Sequence, residues 1–346
     1  MSFKVQVEPL GLSFTVQEGQ SVLDAALEAK ILLPYSCRGG SCSTCMAKVV
    51  SGEFEAGTAP EQILMPEELE AGYSLMCQAH PCSDMVIESP MASVMSDIEV
   101  RKLPSRVLGI TPLIDGVMQV QLQLPASQSV FYYPGQYLNL LLKGGAERSY
   151  SMANPPNADN TVTLHIRHMP GGLFTDQLFG ATEPALKERQ VLRVELPLGT
   201  FYLREDSERP IVFLASGTGF APINAMVEAM IEKGLDRKIR FYWGGRRPQD
   251  LYLADRVQQW AEHFSDFEYI PVISDDQSED TWSGRTGFVH HAVMEDHPDL
   301  SGWEVYACGN PQMVEGARRD FVYHCQLDEE AYFSDAFTSE ADKVGS

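Results

Sequence analysis

Four cysteines constrain the fold of this chain more than any other feature. Cys37, Cys42 and Cys45 are separated by four and by two residues, and Cys77 follows after a further thirty-one residues. This is the spacing with which four thiolates hold a two-iron two-sulfur cluster. The alternative is a structural zinc site, which usually shows two Cys-x-x-Cys pairs and not one loop with a distant fourth ligand. The spacing therefore predicts an iron–sulfur electron carrier.

Composition limits the partners of such a carrier. The 346 residues suffice for two or three domains, and seven cysteines, four of them assigned to the cluster, argue against a disulfide framework. A net charge of −22 repels nucleic acid and anionic membranes and favours a partner protein with a basic docking face. Neither a membrane helix of about 18 apolar residues nor a signal peptide is evident. We expect a cytoplasmic monomer that binds neither nucleic acid nor membrane.

The first part of the chain reads as a small mixed domain. Residues 3–7 and 12–16 alternate like a hairpin, Ser21 can cap a helix, and residues 84–88 are strand-like. With the cysteine loop between them, these elements resemble the β-grasp fold of plant-type ferredoxins over residues 1–93. An acidic run after the loop either faces a partner or is a solvated surface. Its members are Glu61, Glu67, Glu68 and Glu70.

The middle of the chain, from residue 105 to about 205, consists of short strand-like segments between turns and predicts an antiparallel β-barrel. Pro134-Gly-Gln-Tyr137 precedes Arg148-Ser-Tyr-Ser-Met152, and Pro170-Gly-Gly-Leu-Phe-Thr175 follows. Arginine offers a fork of donors, and two glycines let backbone amides approach a pyrophosphate where a helix begins. In this order, the motifs resemble the flavin-binding signature of the ferredoxin-NADP reductase superfamily. The glycine loop from Gly171 to Thr175 has a second phosphate to bind, which favours FAD over FMN.

The resemblance implies that a flavin lies along this signature. Tyr150 would lie against its ring, the Ser151 hydroxyl would donate toward the reactive N5 edge, and residues 165–167 would pass its adenylate half. The full set of implied flavin-binding residues is Arg148, Ser149, Tyr150, Ser151, His165, Ile166, Arg167, Gly171, Gly172 and Thr175.

In the last third, strand, loop and helix alternate from residue 209 onward. This order predicts a parallel sheet with helices on both faces and a ligand at the carboxyl ends of its strands. Gly217-Thr-Gly-Phe-Ala-Pro222 is not the Rossmann fingerprint, but it resembles the nicotinamide-dinucleotide loop of the same superfamily. Cys308-Gly-Asn-Pro-Gln-Met313 resembles that superfamily's Cys-Gly element. The residues implied to bind the nucleotide are Gly217, Thr218, Gly219, Pro222, Cys308, Gly309 and Met313.

Residue roles also follow from the resemblance. Ser151 and Cys308 would flank the site of hydride transfer, and Asp335-Ala-Phe337 would match the terminal acid-x-aromatic of the family. Asp335 would then be a third catalytic residue, and Phe337 would stack on the flavin until nicotinamide displaces it. From the residues alone, Cys308 also reads as a buried thiol at a strand end and Phe337 as an apolar residue near a frayed terminus.

The order of these parts along the whole chain resembles the reductase components of bacterial aromatic-ring oxygenases. It implies a ferredoxin domain over 1–93, a FAD-binding barrel over 103–205 and an NAD-binding α/β domain over 206–337. Electrons would pass from NADH through FAD and the [2Fe–2S] cluster to a partner protein, with NADPH as the alternative donor. A terminal oxygenase is the leading candidate for that partner. The reductases of CDP-deoxysugar dehydration are similar in layout. Three further functions stay open at this point: a free flavin reductase, a carrier or sensor with a vestigial reductase half, and a zinc-stapled interaction protein.

We predict that NADH is preferred to NADPH. Phosphate-selective relatives place Ser-Arg after the third strand of the nucleotide domain, where this chain has Ser274-Asp-Asp276. Two carboxylates there would repel a 2′-phosphate, although Arg246 and Arg247 after the preceding strand could offset them. The kcat/KM values for the two nucleotides should differ in favour of NADH, and a higher value for NADPH would contradict the prediction.

Overall fold

The computed structural model describes residues 1–57, 63–94, 99–128, 130–274 and 282–338. The chain divides into two compact units. Unit 1 comprises Met1–Asp97, Asn310–Arg319 and Phe333–Ser346, and unit 2 comprises Ile98–Gly309 and Asp320–Tyr332. Two C-terminal segments therefore belong with the first hundred residues. Glu61, Asp275 and Asp276, which figure in the sequence predictions, lie outside the described residues.

The first 94 residues of unit 1 hold nine strands and two helices among the described residues. In chain order they are β1 (Ser2–Glu8), β2 (Leu12–Gln17), α1 (Val22–Glu28), β3 (Ile31–Leu32), β4 (Met46–Ser51), β5 (Phe54–Ala56), α2 (Pro66–Glu70), β6 (Tyr73–Leu75), β7 (Ala79–Pro81), β8 (Met85–Glu88) and β9 (Ser93–Val94).

A five-stranded sheet with the order β2-β1-β8-β4-β6 forms the frame of unit 1. The predicted hairpin is confirmed, because β1 pairs antiparallel with β2, and β1 also pairs parallel with β8. Alternation along β1 buries Val5 and Val7 completely. The predicted helix begins after Ser21, whose hydroxyl accepts a hydrogen bond from the Asp24 amide at 3.1 Å, as a capping residue does.

Unit 2 begins with strands and ends with alternating strands and helices. Its elements are β10 (Arg101–Ile114), β11 (Val117–Gln123), β12 (Tyr137–Leu141), β13 (Glu147–Ser151), β14 (Thr161–Arg167), α3 (Thr175–Leu178), β15 (Val191–Leu198), β16 (Ile211–Ser216), α4 (Phe220–Lys233), β17 (Ile239–Gly245), α5 (Ala254–Trp260), β18 (Phe267–Ile273), β19 (Arg285–Thr286), α6 (Val289–Asp296) and β20 (Glu304–Gly309).

The first six strands of this unit pair in the order β13-β12-β15-β10-β11-β14, and the ladders between them are antiparallel, as predicted. Closure of a barrel needs continuous pairing between the two edge strands. In the described part of the chain those edges are joined by one isolated bridge, between Met152 and Leu164, and no closed barrel is found. The antiparallel sheet is therefore confirmed, whereas its closure stays a prediction.

The later strands of unit 2 form the predicted parallel sheet, in the order β19-β18-β17-β16-β20. Ile211 to Ala215 on β16 are buried without exception, the continuous apolar run expected of a strand that is covered on both faces. Ala215 lies opposite Cys308, so β16 and β20 end side by side. This pairing brings two glycine-containing loops to one edge of the sheet.

Two elements close the chain, α7 (Pro311–His324) and β21 (Tyr332–Ala336). Val314 on α7 and Ala336 on β21 pack against Cys42 and bury it. In the described residues, no helix has the length and apolar character needed to cross a membrane.

Candidate redox site

The four predicted cluster ligands meet in unit 1. Cys37 Sγ lies 3.1 Å from Cys42 Sγ, and the Cys45 thiol donates a hydrogen bond to Cys77. Three of the thiols are buried and Cys37 is half-buried. Four convergent thiols from one loop and one distant position fit the ligation of a [2Fe–2S] cluster.

Backbone amides of the cysteine loop turn toward the Cys37 sulfur. The Gly39 amide donates to Cys37 Sγ at 3.4 Å, and Gly40 has a φ of +74°, a conformation that favours glycine. Donation by the Cys42 thiol, with help from loop amides, lowers the pKa of Cys37 to about 6. The loop thus favours the thiolate of Cys37, whereas donation to a partner thiol and burial raise the pKa values of Cys42 and Cys45.

Two buried carboxylates from the C-terminal segments also contact this loop. Ser36 Oγ donates to Asp335 Oδ1 at 2.5 Å, and the Ser43 amide donates to Glu315 Oε1 at 2.9 Å. The structure therefore places Asp335, predicted as catalytic, next to ligand Cys37. Sequence analysis missed Glu315, because no local signal connects residues 272 positions apart.

The acidic run divides between surface and interior. Glu67 and Glu70 are exposed, but Glu68 is buried and its Oε1 lies 2.7 Å from Arg318 Nη2. Glu68 therefore belongs neither to a partner-facing surface nor to a solvated one. Its burial follows from the guanidinium on α7, which compensates a carboxylate that is otherwise costly to bury.

In unit 2, the predicted flavin signature lies on β13. Strand alternation puts Arg148 and Tyr150 on one face and Ser149 and Ser151 on the other. The Tyr150 ring lies 5.8 Å from that of Phe174, so this strand reaches the glycine loop before α3. Burial raises the pKa of the Tyr150 phenol, and Ser151 is also buried. An arginine, an aromatic face and a glycine loop side by side fit a flavin dinucleotide.

The glycine loop is held in shape by its own side chains. Thr175 Oγ1 donates to the Met169 carbonyl at 2.8 Å. A Cβ on Gly172 would lie 2.5 Å from Thr175 Oγ1 and 2.8 Å from the Met169 carbonyl oxygen, so only glycine fits there. Helix α3 begins at Thr175, directly after the glycine loop, as predicted. The Gly171 amide, expected to approach phosphate, here donates to the Asp176 carboxylate.

The side chains of residues 165–167 have three different surroundings. Ile166 is completely buried in the core of the antiparallel sheet. His165 Nδ1 lies 3.1 Å from the Tyr252 hydroxyl, and burial lowers the pKa of this imidazole to about 3, so it is neutral near pH 7. Arg167 Nη2 lies 3.9 Å from Asp250 Oδ1. Flavin contact by these residues stays a prediction.

Close contact between two loops forms the candidate nicotinamide site. A Cβ on Gly219 would collide with the Cys308 carbonyl oxygen, and one on Gly309 would collide with Ser216 Oγ. Gly309 also has a φ of +127°. Side chains are therefore excluded where the two strand ends meet, which leaves backbone that a dinucleotide can approach.

Trp243 supports the Gly217 loop, a contact that the sequence did not predict. Its Nε1 donates to the Gly217 carbonyl at 3.0 Å, and its ring stacks on Phe220 with centroids 4.3 Å apart. It therefore holds both the start of the loop and the first residue of α4. Thr218 in the loop and Pro222 on α4 are both buried, whereas Met313 packs in unit 1 beside Cys42.

Three family profiles match consecutive parts of the chain: a 2Fe-2S iron-sulfur cluster binding domain over 5–82, an oxidoreductase FAD-binding domain over 107–202 and an oxidoreductase NAD-binding domain over 213–319. The CDP-6-deoxy-L-threo-D-glycero-4-hexulose-3-dehydrase reductase of Yersinia pestis is 40% identical over 337 residues, which cover 97% of this chain and 99% of that protein. The chain belongs to the iron–sulfur flavoprotein reductases.

Other members of the family match with similar coverage. Reductase component 2 of terephthalate 1,2-dioxygenase from Comamonas sp. is 35% identical over 324 residues, 92% of each chain. The crystal structure of a cytochrome P450 reductase from Amycolatopsis superposes with a TM-score of 0.74 at 33% identity, covering 97% of this chain and 99% of the other. These matches extend along almost the whole length of the present iron–sulfur flavoprotein reductase.

In this iron–sulfur flavoprotein reductase, the protein's own contribution is binding, orientation and exclusion of water. A bound flavin supplies the conversion between two-electron and one-electron transfer. The four thiols of unit 1 would hold the iron, and the glycine loops of unit 2 would admit the dinucleotides. Burial keeps His165 neutral near pH 7 and raises the pKa of the Tyr252 phenol beside it, so neither side chain adds charge there.

We predict that Gly219→Ala impairs nicotinamide binding selectively. The added Cβ would collide with the Cys308 carbonyl, so the loop must move, and the KM for NADH should rise by at least about tenfold, ~1.4 kcal/mol. FAD absorbance should stay, since the flavin signature lies elsewhere in the unit.

Gly302→Ala is the matched control, because nothing lies within 4 Å of its Cβ position. Steady-state kinetics of both variants with NADH and ferricyanide test the prediction. An unchanged KM in Gly219→Ala, or an equal rise in both variants, would contradict it.

Proposed function

We propose that this reductase is the electron-transfer component of a multicomponent oxygenase, which oxidises NADH and delivers single electrons to a terminal oxygenase. The observation that carries the proposal is the convergence of four thiols, three of them buried, in the same chain as complete flavin and nicotinamide signatures. A free flavin reductase would have no use for such a cluster. The net charge of −22 favours an acceptor with a basic docking face.

A second acceptor is favoured by sequence identity. The deoxysugar dehydrase reductase of Yersinia pestis shares 40% identity over 97% of the chain, against 35% over 92% for the terephthalate dioxygenase reductase component. An iron–sulfur sugar dehydrase is therefore the alternative partner. Both proposals use the same internal path and differ only in the protein that takes the electron.

We further propose roles for residues of the flavin and nicotinamide signatures. Ser151 donates toward N5, Cys308 lies opposite it across the reacting atoms, and Phe337 stacks on the flavin. Asp335 completes the terminal acid-x-aromatic and, through Ser36, contacts the cysteine loop. Flavin reduction measured by stopped flow in Ser151→Ala tests the first role.

The proposed domain limits are 1–93 for a β-grasp ferredoxin, 103–205 for a flavin barrel and 206–337 for the nucleotide domain. The matched family profiles support this division. We also propose that the protein is a cytoplasmic monomer. Light scattering of the purified protein measures its molar mass and so tests the monomeric state.

We predict that Cys77→Ala separates two activities. Losing one thiolate should prevent cluster assembly, so NADH-dependent cytochrome c reduction should fall by at least about tenfold, ~1.4 kcal/mol in activation free energy. Ferricyanide reduction should remain, since the flavin and nicotinamide signatures are untouched. Both rates are measured in the same preparation.

Cys82→Ala controls for the loss of a thiol, because Cys82 is exposed and outside the ligand set. It should leave both activities unchanged. Retained cytochrome c reduction in Cys77→Ala would mean that electrons leave from the flavin, and the proposed path would be wrong.

The acceptor should be identified by direct electron transfer. Reduced protein mixed with a purified terminal oxygenase should reoxidise at a rate that falls with ionic strength, because opposite charges steer the encounter. A deoxysugar dehydrase is mixed in parallel under identical salt. Faster reoxidation by the dehydrase would reject the oxygenase assignment in favour of the second candidate.

A further inference from the structure

One buried carboxylate near the cluster ligands has no part in the electron path from nicotinamide to cluster. Glu315 lies on α7 in unit 1 with only 3% of its surface exposed. Its Oε1 accepts the amide hydrogen of Ser43, the residue that follows ligand Cys42 in the loop. A carboxylate is thus fixed to the backbone of the cysteine loop between its second and third ligands.

Glu315 belongs to a buried group of three charges. Its Oε2 lies 3.5 Å from Arg318 Nε, one turn further along α7. The same guanidinium lies 2.7 Å from Glu68 on α2, and the side chains of Arg318 and Glu68 are each only 7% exposed. Two carboxylates share one guanidinium, so the group carries a formal charge of −1 when all three are ionised.

Apolar contacts on the same turn of α7 shield this group from solvent. Val314, the neighbour of Glu315, packs with Ala336 against Cys42. Water that would screen the carboxylate is therefore excluded on the side of the cluster ligands. In such surroundings the effective dielectric constant is far below that of water, and a fixed charge acts more strongly.

The reduction potential of an iron–sulfur cluster depends on nearby charge, on hydrogen bonds around its sulfurs and on solvent exposure. A fixed negative charge opposes the arrival of an electron. We propose that Glu315 is a positioning residue that lowers the reduction potential of the [2Fe–2S] cluster through the Ser43 amide, and that Arg318 sets how strongly its charge acts. This inference rests on the proposed function only in that the cysteine loop holds the cluster.

A lower potential makes the reduced cluster a stronger electron donor, which suits a loop that must pass electrons on to another protein. The contact also gives the C-terminal segment 310–319 a defined task in unit 1. The same turn of α7 would cover the cysteine loop and tune the reduction potential of the cluster.

The test is a potentiometric titration of the purified holoprotein, followed by electron paramagnetic resonance of the reduced cluster. Glu315→Gln retains the shape and an acceptor oxygen but removes the charge. We expect this substitution to increase the ratio of reduced to oxidised cluster about tenfold at a given applied potential. For a one-electron couple, this raises the midpoint potential by about 59 mV.

Arg318→Met should act in the opposite direction, because it leaves two buried carboxylates without their cation. The midpoint potential should then fall. Glu70→Gln, on the exposed side of α2, is the matched control: it removes one charge that solvent and salt already screen, and its equilibrium should change by less than about twofold.

Opposite shifts in the two α7 variants would support the electrostatic role, since mere loosening of the loop would move both in one direction. Shifts of equal sign, or a Glu315→Gln shift no larger than that of Glu70→Gln, would overturn it. If Arg318→Met fails to assemble a cluster, the comparison of Glu315→Gln with Glu70→Gln decides. Absence of a cluster signal from the unmutated protein would instead refute the proposed function.

Discussion

The candidate nicotinamide site depends on the parallel pairing of β16 with β20. Because Ala215 lies opposite Cys308, both strands end at the same level and their loops meet. Only glycine permits an approach this close, since there is no room for a Cβ at Gly219 or Gly309. Buried apolar strands make the pair rigid, and bare backbone at their ends leaves space for a dinucleotide.

The cysteine loop of unit 1 is subject to a different constraint, the cost of burying polar groups without partners. The Ser36 hydroxyl and the Ser43 amide are both bonded to carboxylates from the C-terminal part of the chain. Those carboxylates in turn need compensation, which Arg318 gives to Glu315. The surroundings of the cluster ligands are therefore built from both ends of the chain.

Local patterns predicted much of this structure correctly. The β1–β2 hairpin, the helix capped by Ser21, the antiparallel strands and the parallel sheet all appeared where alternation and turn residues indicated them. Such patterns succeed because their information lies within a few neighbouring residues. Glu68 shows their limit, since a run of acids reads as surface unless the cation that buries one of them is known.

By itself, the sequence determined the cofactors and the order of the three matched domains, and it predicted four cluster ligands whose thiols the structure brings together, because each depends on residue types at fixed short spacings. Only the tertiary structure decided that Glu315 and Asp335 contact the cysteine loop, that Trp243 holds the Gly217 carbonyl and that His165 is enclosed and neutral. These contacts join residues far apart in the chain. Their strength comes from burial and from the partner across space, and neither leaves a periodic or local trace in the sequence.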